Sequence, residues 1–175
     1  MSRSYKEIMP QITTFMFDVD GVLTNGMVHI STTGELTRAM NIKDGYALKT
    51  AIDLGYTICI ISGGSNEGVK LRLEGLGIKE IHLGTHNKIT HLNEFLKKYN
   101  LKQEHVLYMG DDIPDLHVMK LVGLPCCPQD AVPEIKAISK YISHKKGGKG
   151  AVRDVIEQVL KVQGKWQSSF DAKYD

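Results

Sequence analysis

Five short apolar runs separated by helix-length amphipathic stretches dominate this 175-residue sequence. Runs at 13–18, 57–62, 80–83, 105–110 and 122–126 have strand length and strand composition. The intervening segments at 44–54, 65–76, 88–99 and 114–121, with a last pair at 131–139 and 149–162, have helical periodicity. Strands alternating with helices predict an α/β fold: a Rossmann-like, mostly parallel sheet with helices on both faces. Right-handed crossovers then align the C-terminal ends of the strands along one edge, where open α/β sheets bind ligands. The sequence has no repeat and no linker, and residues 1–175 are read as one domain.

Residues 26–40 break the alternation. Two short β-like runs flank Ser31-Thr32-Thr33-Gly34, which predicts a hairpin directly after the first strand. Such an element is either decoration or a flap and oligomer contact.

Composition narrows the function classes. The 22 basic and 20 acidic residues give a formal charge of +2, so a long polyanion such as nucleic acid is not an expected partner. Cys59, Cys126 and Cys127 form neither a zinc-type spacing nor a disulfide framework, which favours a reducing compartment. The N-terminus lacks the apolar core of a signal peptide, and no run approaches membrane-spanning length. A cytoplasmic protein without membrane partners is expected.

The chemistry-bearing residues sit at strand ends. The first strand runs into Asp18-Val19-Asp20-Gly21, where residues two apart on extended chain share a side and glycine permits a turn away. A fourth strand ends in Gly110-Asp111-Asp112, with Asp115 following. Asp112 suits the N-cap of the next helix, which accounts for only one of these acids. If Asp18, Asp20 and Asp111 converge at ~4 Å, each pair repels by about 4 kcal/mol at an effective dielectric of 20. A divalent cation with oxygen ligands offsets that repulsion, and Mg2+ is the economical choice. Ser62-Gly63-Gly64-Ser65 offers a hydroxyl and backbone N–H groups for an anion, or simple helix capping. Lys88 opens a helix against its dipole, which favours a functional placement.

Together these groups suit phosphoryl transfer. Asp18 is the nucleophile that forms an aspartyl-phosphate, and Asp20 is the acid and then the base. Ser62 and Lys88 hold the non-bridging oxygens.

The order Asp-x-Asp-Gly-Val-x-Thr, Ser, Lys, Gly-Asp-Asp-x-x-Asp resembles the haloacid dehalogenase superfamily. Phe17 to Thr24, Asn41 to Tyr46, Gly110 to Asp115 and Gly147 to Arg153 are similar to its small 3-deoxy-D-manno-octulosonate 8-phosphate phosphatases, and the likeness runs from Phe15 to Lys165. The resemblance implies Asp18, Asp20 (through its backbone carbonyl) and Asp111 as Mg2+ ligands, supported by Asp112 and Asp115. It implies a sugar-acid phosphate substrate held by Asp20, Gly63, Gly64, Arg72, Lys88 and Lys149. No insert of cap length interrupts the chain. Capless relatives are typically homotetramers in which the hairpin and a glycine-rich C-terminal segment, here within 144–175, meet neighbouring subunits. Gly64 departs from the family, which often has arginine there, and this leaves the eight-carbon substrate and a nine-carbon counterpart, 2-keto-3-deoxynononate 9-phosphate, both open. A receiver-like phosphoacceptor module is the non-enzyme alternative. Receivers carry their acidic pair before the acceptor and have no acid two residues after it, unlike Asp18 and Asp20.

Overall fold

A computed structural model describes residues 3–166. Six parallel strands form the sheet: β1 (Thr14–Phe17), β4 (Thr57–Ile61), β5 (Glu80–His82), β6 (Val106–Met109), β7 (Leu124–Cys127) and β8 (Tyr141–Ile142). Their order is β5-β4-β1-β6-β7-β8. β1 lies between β4 and β6, so the chain winds outward on one side of β1 and later returns to its other side. That reversal opens a crevice at the carboxyl end of β1.

Side chains alternate across the sheet with period two. Phe15, Phe17, Ile58, Ile60, Leu107 and Met109 join one core, while Met16, Cys59, Ile61 and Tyr108 join the other. α2 (Ile42–Asp53), α3 (Glu67–Gly75) and α7 (Ala151–Val162) cover the first face. α4 (Lys88–Tyr99), α5 (Leu116–Met119) and α6 (Pro133–Ile138) cover the second. The expected doubly covered sheet is therefore present. The three cysteines are buried and unpaired in it. No helix of the described residues is long and apolar enough to cross a membrane.

Two elements have no counterpart in the sequence expectations. α1 (Tyr5–Ile8) is a single turn closed by reciprocal bonds between Ser4 and Glu7. β8 is a two-residue edge strand whose apolar signal is too short to stand out. The helix expected at 114–121 is split. A tight turn at Ile113–Asp115, closed by Asp115 N–H donating to Asp112 O (2.9 Å), precedes the shorter α5. The hairpin forms as expected, with β2 (His29–Ile30) paired antiparallel to β3 (Leu36–Thr37). Gly34, at φ 80°, closes its turn.

α2 and α7 are joined by a buried acid. α7 begins at Gly150, which has no side chain to cap it. Asp44, in the first turn of α2, supplies the missing acceptor by taking the Arg153 N–H at 2.8 Å. Its Oδ2 is buried without a hydrogen-bond partner. Burial outweighs the bonds from Arg153 and Gly150 and pushes its carboxyl from 3.8 up to about 6. The folded state thus holds this proton more tightly than the unfolded chain. Its contribution favours folding at low pH and is lost between about pH 4 and 6, by about 3 kcal/mol. Asp44→Asn keeps the Oδ1 acceptor and removes the ionisation. Urea titrations from pH 4 to 7 are expected to show the stability difference, variant minus wild type, rising with pH across that window.

Candidate active site

The crevice at the end of β1 holds a cleft of about 500 Å3 lined by four strand-end segments. After β1 the backbone is still extended at Asp18, turns through Gly21 at φ 83° and reaches Thr24. Gly21 is required twice. The turn is left-handed there, and a Cβ would lie 1.9 Å from Asp111 Oδ2. Gly110 likewise leaves room for Asp115, which a Cβ would meet at 2.4 Å. The two Asp-rich loops interlock through glycines.

Asp18 Oδ1 accepts the Val19 N–H at 2.6 Å, and Oδ2 lies 2.8 Å from Lys88 Nζ. Lys88 is only 6% exposed. Its ammonium also donates to Asp115 Oδ1 at 2.6 Å. Asp115 is fully buried, and its remaining bonds come from the Tyr108 hydroxyl (2.8 Å) and the Asp111 N–H (3.1 Å). Burial alone would lower the Lys88 ammonium, but Asp115 and Asp18 outweigh it and hold the lysine above its usual value. Lys88 stays charged between two carboxylates.

Three acids converge. Carboxylate oxygens of Asp18, Asp111 and Asp115 lie within 4.8 Å of one another. Burial, then the charges of Asp115 and Asp18, push the Asp111 carboxyl up to about 8. Burial and Asp115 push Asp18 up to about 6 against the pull of Lys88. Among the described residues no donor bonds the Asp111 carboxylate, whereas every Asp115 oxygen has one. The donor set therefore fits a hard cation on Asp18 and Asp111, with Asp115 occupied by the lysine. Asp115 acts in the structure as the hub that places Lys88, a more specific task than the metal support expected of it. Asp112 caps the following turn through Ile113 N–H (2.7 Å) and lines the cleft.

Ser62 is buried at the end of β4, where its Oγ accepts the Gly64 N–H at 3.4 Å. Neither Ser62 nor Ser65 caps α3; Asn66 does, by accepting the Val69 N–H. That leaves the Ser62 loop available to an anion. Gly63 and Gly64 line the cleft with it, and so do Thr85 and His86, which the sequence did not single out.

Asp20 is engaged by a residue that sequence reasoning missed. Arg38, just beyond β3, donates Nε to Asp20 Oδ1 at 2.7 Å and Nη2 to Oδ2 at 3.0 Å. Thr24 Oγ1 adds a 3.3 Å bond to Oδ1. The only sequence signal for Arg38 was a charge at the foot of the predicted hairpin. Two proposed substrate contacts lie elsewhere. Arg72 lines an adjoining cavity of about 460 Å3 that Arg38 also borders. Its Nη2 takes the space a Cβ on Gly45 would need, at 2.7 Å. Lys149 borders a separate cavity beside Lys43 and Arg153, and within this chain it does not reach the catalytic cleft. The glycine-rich segment serves the chain's own catalytic loop. A Cβ on Gly147 would lie 1.8 Å from Gly21 O, and Gly148 N–H donates to Val22 O at 2.9 Å. Trp166 is buried in the first core, and the tail at 167–175 lies outside the described residues.

The sequence profile of the haloacid dehalogenase-like hydrolases matches residues 74–156. The chain is 34% identical over 172 residues to the 3-deoxy-D-manno-octulosonate 8-phosphate phosphatase of Salmonella typhimurium, covering 94% of this chain and 92% of that one. This chain belongs to the haloacid dehalogenase-like phosphatase family. The Escherichia coli enzyme of the same name is 36% identical over 154 residues, 88% of this chain and 82% of its own. Among solved structures, the Moraxella catarrhalis 3-deoxy-D-manno-octulosonate 8-phosphate phosphatase superposes with a TM-score of 0.90 at 34% identity, covering 93% and 94% of the two chains. That structure holds a magnesium ion, a phosphate ion and a KDO molecule. The Yersinia pestis enzyme superposes with a TM-score of 0.91 at 32% identity, covering 93% and 88%. Family membership sets aside the receiver-like alternative.

Proposed function

We propose that this chain is a Mg2+-dependent phosphatase that hydrolyses 3-deoxy-D-manno-octulosonate 8-phosphate to the free sugar acid and phosphate. The observation that carries the reading is the convergence of Asp18, Asp111 and Lys88 beside Asp20 in one cleft, with Asp115 buried behind Lys88, in a chain related over its length to phosphatases of that name.

Asp18 attacks phosphorus. An Oδ–P bond forms as the P–O bond to the sugar breaks, giving an aspartyl-phosphate. Asp20 donates a proton to the departing oxygen, then removes one from the water that attacks phosphorus and frees Asp18. Lys88, 2.8 Å from Asp18, fixes the nucleophile and offsets charge. Ser62, Gly63 and Gly64 receive the non-bridging oxygens. Asp18, Asp111 and the Asp20 backbone carbonyl would hold Mg2+, with Asp112 and Asp115 in support. The ion supplies charge neutralisation for an anion attacking an anion. Chelation with EDTA is expected to lower phosphate release at least about 100-fold, with recovery on adding Mg2+.

In this reading the chain assembles as a cytoplasmic homotetramer. The hairpin presents Met27 (64% exposed) and Ile30 (72% exposed), which suits coverage by a neighbouring subunit. Lys149 then contacts substrate only from a neighbour. A second reading, the nine-carbon acid 9-phosphate, rests on Gly64, which stands beside Asp20 where the family often has arginine. Phosphate release with Mg2+ from both acids and from a panel of sugar phosphates tests the assignment. A preference of about ten-fold or more in kcat/KM for the eight-carbon substrate is expected. A preference of that size for the nine-carbon substrate transfers the assignment to the second reading.

A further inference from the structure

We propose that Arg38 is a specificity-determining residue that exchanges one carboxylate for another, releasing Asp20 only when a substrate carboxylate takes its place. The inference rests on Asp20 serving as the acid and base of the reaction. Arg38 holds both Asp20 oxygens, at 2.7 and 3.0 Å. A carboxylate engaged in that fork has both oxygens held by the guanidinium and is kept from serving a bridging oxygen in the cleft. Arg38 is also where the two cavities meet. It borders the adjoining space with Arg72, Asn66 and Thr37, while its partner Asp20 lines the catalytic cleft. A sugar acid whose phosphate lies by Asp18 extends from one space toward the other, so its carboxylate and Asp20 compete for one guanidinium.

Two local features fit this use. Gly64 has no positive φ that would require glycine, yet a Cβ there would stand 3.0 Å from Asp20 Oδ2 and 3.3 Å from Arg38 Nη2. The missing side chain makes room for the pair. The hairpin strand that leads into Arg38 is held at a second point, where Asn66 Nδ2 donates to Leu36 O at 2.8 Å. Arg38 can therefore change partners without the strand losing its anchor. Exchange of one carboxylate for another conserves the ion pair. A phosphate ester without a carboxylate has to break it with nothing in return.

The test compares the octulosonate 8-phosphate with a five-carbon aldose 5-phosphate, also a primary alkyl phosphate but with no carboxylate. Arg38→Met is expected to lower kcat/KM for the acid about 30-fold and to raise kcat for the aldose phosphate at least about threefold. Arg38→Lys, a charge without the fork, is expected to fall between. Equal losses on both substrates would make Arg38 a structural support and overturn the exchange. So would an unchanged rate on the acid. Calorimetry with the free sugar acid gives a readout independent of turnover, with about tenfold weaker binding expected for Arg38→Met and equal binding overturning the inference. If instead Asp20→Asn retained full turnover, the roles assigned to the site would fail separately from the exchange.

Discussion

Asp18→Asn is expected to abolish turnover, by at least about 10^4-fold in kcat, without loss of the fold. The amide cannot form the acyl-phosphate, and no other carboxylate takes its place. Asp111 leans over Gly21, and Asp115 is saturated by Lys88, Tyr108 and the Asp111 N–H. Stability should move the other way. Burial and Asp115 push the Asp18 carboxyl up to about 6, so holding it ionised at pH 8 opposes folding. The thermal midpoint of the metal-free variant is therefore expected at or above that of the metal-free wild type. The upward shift that Mg2+ produces in the wild type should be reduced. Calorimetric scans with and without Mg2+ check both. A large drop in the metal-free midpoint would mean that Asp18 contributes to stability and would contradict the electrostatic account.

Lys88→Met should lower both activity and stability. It leaves Asp115, fully buried, and Asp18 facing each other without the cation that bonds both. Removing one partner of a buried ion pair costs about 3–5 kcal/mol. The loss of kcat is expected to be about 10^2- to 10^3-fold, the range for one preorganised electrostatic group. The sign with pH follows from the carboxyls left behind. Without the pull of Lys88, the Asp18 carboxyl holds its proton more tightly still in the folded than in the unfolded chain, so the deficit is full near pH 8 and shrinks toward pH 5. Urea denaturation at those two pH values measures it. A deficit that is the same at both would indicate lost packing of the lysine stem in place of lost charge compensation.

Much of this site was legible because it is built from strand ends. A strand's apolar run announces its own length, so the first polar residues after it fall at the carboxyl edge. Asp18, Ser62 and Asp111 were placed by that rule, and Lys88 by its position at the start of a helix, where α4 indeed begins. Arg38 was not legible, because its partner lies 18 residues away and hairpin geometry decides which side chain reaches back. Tyr108 stands in an apolar strand, with nothing in its neighbours to mark a polar task. Only the fold reveals that its hydroxyl is spent on Asp115. The surroundings of Lys149 within its own chain were not legible for a related reason. The glycines before it signal close backbone approach, but spacing does not say to what, and Gly147 approaches the catalytic loop of its own chain. Asp44 lies in the first turn of α2, and its task at the start of α7 depends on a contact across 109 residues.

Chemical trapping of the intermediate tests the central claim most directly. Enzyme turning over octulosonate 8-phosphate with Mg2+ is quenched in acid and reduced with borohydride, which converts an acyl-phosphate on aspartate to homoserine. Mass spectrometry of the peptide containing Asp18 and Asp20 then locates the change. The account predicts homoserine at position 18 and not at 20, only when substrate and Mg2+ are both present. Phosphate release with Asp18 unmodified, or reduction at another carboxylate, would contradict it.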